Sequence, residues 1–78
     1  MNLVWITNAS YEGGHMLMLT FNDGKQGVVD LKSYTEKYPA FAPLKDVNVF
    51  SDFALDGWTV TWLNGRLDIA PETLYARI

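Results

Sequence analysis

From His15 to Phe21 apolar and polar positions alternate with a period of two, placing Leu17, Leu19 and Phe21 on one face of a strand and Met16, Met18 and Thr20 on the other. Asn22-Asp23-Gly24 follows with residues that tolerate positive φ, and Gln26 to Asp30 reads as the returning strand of a hairpin. Upstream, Leu3 to Thr7 is rich in strand formers and stops at Asn8-Ala-Ser-Tyr-Glu-Gly-Gly14, which predicts a strand and then a loop. The period then changes. Leu31, Tyr34 and Tyr38 fall at helical spacing, with Asp30 placed to cap the first turn and Pro39 to end the last.

Pro43 makes Ala40 to Lys45 an irregular connection or single turn that plugs Phe41 and Leu44 into the core. Val49 to Leu55 reads as a further strand ended by Asp56-Gly57, after which Trp58, Val60 and Trp62 alternate with Thr59, Thr61 and Leu63. Asn64-Gly65 is a second two-residue turn signal and leads to a short strand, Arg66 to Ile69. Pro71 suits the first position of a helix and Glu72 its positive end, so Pro71 to Arg77 is expected to be helical, with Asp68 accepting N–H groups of its first turn. The sum is an α+β fold: a small antiparallel meander of about five or six strands with one inserted short helix and one short C-terminal helix. Residues 1–78 form one domain on this reading, around a core of Leu17, Leu19, Phe21, Phe53, Leu55, Val60 and Trp62.

Length sharpens this picture, because a chain of 78 residues buries only about 60–65% of the surface its unfolded form exposes and has little room for a deep cavity. Large side chains must supply the stability, and 14% of the residues are aromatic. The absence of cysteine removes disulfides, thiolate metal sites and thiol nucleophiles, and fits a reducing compartment. Asn8, Ser10, Glu12, Gly13 and Gly14 interrupt the first twenty residues, so no secretory leader is expected, and no apolar run has transmembrane length. The soluble cytoplasm is the expected location. Nine acidic residues stand against six scattered lysines and arginines for a formal charge of −3, which disfavours direct nucleic-acid binding, since phosphates need a concentrated basic face.

Candidate chemistry is sparse. His15 is the only histidine, so no metal site and no cofactor are expected; Asn22 to Asp30 lacks the alternating oxygen ligands and terminal Glu of a calcium loop. His15 is also the only side chain that could act as a neutral-pH base for Ser10, Ser33 or Ser51, and its place beside a glycine-rich loop favours an ordinary solvated role. Asp23, Asp30, Asp52, Asp56 and Asp68 could converge as a carboxylate pair, yet each is explained locally as a turn former or cap. Asn8-Ala9-Ser10 matches the glycosylation acceptor pattern and is read as inert. Trp58, Trp62 and Trp5 could stack nucleobases, but a small core needs those rings and flanking cations are missing. The opposite face, Met16, Met18 and Thr20 beside Thr59 and Thr61, is semi-polar and is the candidate partner-binding face.

Phe21, Asp23 and Gly24, then Asp30-Leu31, then Phe41, Leu44 and Phe50, then Trp62, Asn64 and Gly65, and finally Asp68, Pro71, Glu72, Leu74 and Tyr75 form a pattern over nearly the whole chain. That pattern resembles a bacterial family known as domain of unknown function 2442 (DUF 2442). The resemblance implies a small α+β domain without assigned activity, whose genes often lie beside another small family, DUF 4160, in an arrangement proposed as toxin and antitoxin. Longer relatives carry a helix-turn-helix after the domain, and this chain stops at Ile78. The function expected is therefore a non-enzymatic interaction module with a small protein partner, antitoxin-like or regulatory, and a homo-oligomer is compatible with it. Two other classes stay open: a nucleic-acid-associated regulator, acting directly or through a partner, and a small carboxylate-dependent hydrolase.

Overall fold

The computed structural model describes residues 3–78. Three strands, β1 (Ile6–Tyr11), β2 (Met16–Phe21) and β3 (Gln26–Asp30), pair antiparallel in the order β1-β2-β3. A helical stretch follows, comprising α1 (Lys32–Lys37), a 3-10 helix (Pro39–Lys45) and α2 (Val47–Phe50). The strands β4 (Ala54–Leu55), β5 (Val60–Trp62) and β6 (Leu67–Asp68) then form a second antiparallel sheet, and α3 (Pro71–Tyr75) closes the order. The mixed α+β class is as expected, but the strands make two three-stranded sheets rather than one meander. The sheets meet where the Ile6 N–H donates to the Trp58 carbonyl at 2.9 Å.

Two expected strands are displaced. β1 runs on to Tyr11 through the stretch Asn8–Ser10 read as loop, because Asn8 pairs with Thr20 and Ser10 with Met18; ladder pairing outweighs weak local strand preference. The reversal falls instead at Gly13 and Gly14, with φ of 96° and 54°. Val49 and Phe50, expected in a strand, belong to α2, which starts where the Asp46 carboxylate accepts the Asn48 N–H at 2.9 Å. That cap turns Phe50 into the core, where it is fully buried.

The hairpin turns are longer than two residues. Thr20 faces Gln26, Leu55 faces Val60 and Trp62 faces Leu67, so each connection spans four or five residues. Gly24, Gly57 and Gly65 all have positive φ, as the turn signals predict. Leu63 (φ 55°) and Asn64 (φ 57°) precede Gly65 in the same left-handed region.

Leu17, Leu19 and Phe21 point inward as their alternation requires, and Val29, Leu31, Leu44, Phe50, Val60, Trp62, Ile69 and Leu74 pack with them in one cluster. Phe53 is only half-buried and Leu55 is exposed, because β4 sits at the edge of the second sheet. Among the described residues no helix is long and apolar enough to cross a membrane.

Candidate functional site

Most of the turn and cap residues singled out by the sequence are held in structural contacts. In the β2–β3 turn the Asp23 carboxylate accepts the Lys25 N–H at 3.0 Å and, from 52 residues away, the Tyr75 hydroxyl at 2.7 Å. The Tyr75 hydrogen bond, reinforced by the Lys25 N–H, holds the Asp23 carboxyl below its ordinary range, and the same bond to a carboxylate raises the Tyr75 phenol. Lys25 Nζ lies 4.2 Å from the Tyr75 ring centroid, and Phe21 meets that ring edge-on at 5.0 Å. Turn and terminal helix are thus clipped together. No sequence signal announces this link, because local spacing says nothing about partners so far apart.

Asp30 accepts the Lys32 N–H at 3.0 Å, so it supports the start of α1 from one position outside it, where Leu31 occupies the cap position. Trp62 is buried and donates its indole N–H to the Phe50 carbonyl at 2.8 Å. Pro71 is buried at the start of α3 and Glu72 lies in its first turn. Asp68 departs from expectation: Ala70 occupies the cap position of α3 with no side-chain hydrogen bond, while Asp68 is an exposed residue of β6 opposite Thr61. Ala70, at φ −57° and ψ 140°, leads from β6 into the helix, and the two residues between Asp68 and Pro71 leave the cap position to Ala70.

The candidate partner face does not exist as one surface. Met16, Met18 and Thr20 lie on the outer side of the first sheet, as expected. Thr59 and Thr61 are buried in the second, where Thr59 Oγ1 donates to the Ile69 carbonyl and Thr61 Oγ1 to the Ala54 carbonyl at 3.3 Å. Splitting the meander into two sheets separates the two sets. Cross-strand register supplies other neighbours: Val28 and Ser10 stand beside Met18, and Gln26 and Asn8 beside Thr20. Met16 and Val28 are 37% and 44% exposed, so an apolar strip lies open on a sheet whose other side is packed.

Two tryptophans also leave the core. Trp5 and Trp58 stack with ring centroids 5.9 Å apart at the junction of the sheets and are 36% and 41% exposed. Burial belongs to Trp62 alone among the three. The stretch holding Trp5 is fixed by Asn22, whose side chain accepts the Trp5 N–H and donates to the Leu3 carbonyl. His15 is not the solvated side chain anticipated: its Nε2 donates to the Leu44 carbonyl at 2.8 Å and its ring lies against Phe50. That contact gives it a structural role.

A cleft of about 550 Å³ opens beside the second sheet, lined by Asp52, Leu55, Asp56, Trp62, Leu63 and Asn64 among others. Asp52 and Asp56 are the two carboxylates among its lining residues. Asp56 accepts the Thr59 and Trp58 N–H groups at 2.8 and 2.9 Å, which lowers its carboxyl below the usual range. A general acid needs the opposite shift. Among the described residues no three His, Cys, Asp or Glu side chains come together as a metal site.

The family model described as "Protein of unknown function (DUF2442)" matches residues 6–78, and the chain belongs to that family. No curated protein and no solved structure matches the chain.

Proposed function

For a member of this family, we propose a non-enzymatic protein-interaction module that docks a small basic protein on the open side of the first sheet. The observation that carries this reading is the strip in which exposed Met16 and Val28 adjoin half-buried Met18, on a sheet whose inner side is already filled by the core. Flexible thioethers beside a β-branched residue make an adaptable apolar contact, and Ser10, Thr20 and Gln26 give it a polar rim. The formal charge of −3 favours a cationic partner and speeds its approach. An antitoxin-like or regulatory role towards a neighbouring small protein, in the cytoplasm, is the form such docking takes here.

Affinity capture from the native host, run in parallel with the parent chain and a Met16→Glu/Thr20→Glu variant, tests this. Both positions are on the outer side, so the variant keeps the core intact. The parent is expected to retain one small basic protein in stoichiometric amount and the variant to lose it. Equal retention by both, or none by the parent, rejects the reading. Nucleic-acid regulation is tested by a salt titration against a random-sequence oligonucleotide, where direct phosphate contact would give a steep slope. The side chains of Lys25, Lys37 and Arg77 already lie over tyrosine rings, which supports a flat response.

A further inference from the structure

The two edges of the first sheet are built differently. β1 has a register shift between Ile6 and Asn8, and the Ile6 N–H on its outer edge is taken by the Trp58 carbonyl. Bulges and covering segments of this kind are how proteins blunt an edge. β3 has no bulge, and Ile78, which lies against Gly27 on the inner side of the sheet, makes no backbone hydrogen bond to the strand. The five residues of β3 pair with β2 in unbroken register, from Met16 opposite Asp30 to Thr20 opposite Gln26. The Phe21 N–H donates to Lys25 and the Leu31 N–H to His15, and these two bonds fix the phase of the ladder. By the alternation of an antiparallel pair, Gly27 and Val29 bond to β2, while the N–H and C=O groups of Gln26, Val28 and Asp30 point outward. Among the described residues no other backbone group bonds to them.

We propose that this edge pairs with the same edge of a second copy of the chain, antiparallel about a two-fold axis through Val28. The strand's sequence is complementary to itself in that register. Val28 meets Val28 of the second copy, Gln26 meets Asp30, and each opposed pair exchanges both of its backbone hydrogen bonds. The flanking residues bring Lys32 opposite the Asp23-Gly24 turn of the other copy, so opposite charges lie close and no like charges face each other. Side chains favour the arrangement as well. The row Ser10–Met18–Val28 on the outer side continues into Val28, Met18 and Ser10 of the second copy, joining two short apolar strips into one six-stranded surface. Pairing through β1 would instead centre polar Asn8 and Ser10 on the outer side, with no apolar gain. The inference holds whatever protein docks on the open side, since it uses the strand edge and not that face.

Sedimentation equilibrium of the full chain, from about 10 µM to about 1 mM, reads the outcome, because a pairing this small is expected to be weak. The parent's mass should rise from 8.8 kDa towards twice that value. Val28→Pro removes an outward N–H without touching the ladder to β2, and Val28→Lys places like charges on the axis. Both should stay monomeric over the same range with the parent's circular dichroism, a loss of at least about tenfold in self-association. Amide exchange of the parent alone gives an independent reading: the Val28 amide should slow as concentration rises, while that of Ala9, on the outer edge of β1, should not. A parent that stays monomeric, variants that associate as tightly as the parent, or a Val28 amide indifferent to concentration would each overturn the pairing.

Discussion

Trp62 is 1% exposed, its ring lies 5.7 Å from that of Phe50, and its indole N–H has the Phe50 carbonyl as partner. Trp62→Ala removes both packing and hydrogen bond and is expected to cost about 3–5 kcal/mol in a chemical melt, out of roughly 4–12 kcal/mol for a domain of this size. Alternation with Thr61 and Leu63 made that residue legible as core. The same alternation misled for Trp58, because β5 begins only at Val60 and the periodic rule lapses outside the strand. Asp68 is exposed and caps nothing, so Asp68→Ala and Asp68→Asn should both stay within about 0.5 kcal/mol of the parent in thermal melts. Asp23 has the opposite expectation. Its carboxyl is depressed in the folded state, so its contribution is full above the unfolded value of about 3.9 and is lost as pH falls through the folded one. Tyr75 mirrors this at alkaline pH, its contribution being lost as pH rises through the raised folded value. In Tyr75→Phe the Asp23 carboxyl, followed by NMR titration, should move back up towards the ordinary range. An unchanged midpoint would assign the shift to the Lys25 N–H instead.

At the scale of elements, the β2–β3 hairpin was legible, since β2 alternates and a glycine at positive φ lies in the connection to β3. The stretch 46–55 was not. Val47, Val49 and Phe50 favour strands by propensity, yet one carboxylate cap and the burial of Phe50 outweigh preferences worth tenths of a kcal/mol each. The β5–β6 turn carries a cost that its sequence hides. Leu63 is held at φ 55°, where an L-residue other than Gly, Asn or Asp is disfavoured by roughly 1–2 kcal/mol, and it is 39% exposed. Leu63→Gly relieves that strain and gives up some chain entropy in exchange, for an expected net gain of up to about 1 kcal/mol. A domain this small would show it as a rise of about 4–8 °C in Tm. A lower Tm would mean that Leu63 packs over Trp62 more than its exposure indicates.

For the whole molecule, the family pattern and the α+β class were readable because they depend on anchors and turns in order along the chain. The division into two sheets was not, because it depends on which strands find each other across the helical stretch 32–50. The approach of the chain's last described residue to β3 was equally hidden. A Cβ on Gly27 would stand 2.8 Å from Ile78 Cβ, so Gly27→Ala should cost about 1–3 kcal/mol although alanine suits a strand better than glycine. Urea denaturation of this variant beside the parent checks it. That closeness also has a meaning for biosynthesis. A ribosome completes residues 6–30 long before residues 71–78, so the first hairpin emerges with no Tyr75 against Phe21 and no Ile78 against Gly27. Residues 31–69 can already cover most of its inner side, but the patch around Phe21 and Gly27 stays open until segment 71–78 follows, so a nascent chain stalled before Pro71 still exposes apolar surface that the finished fold hides.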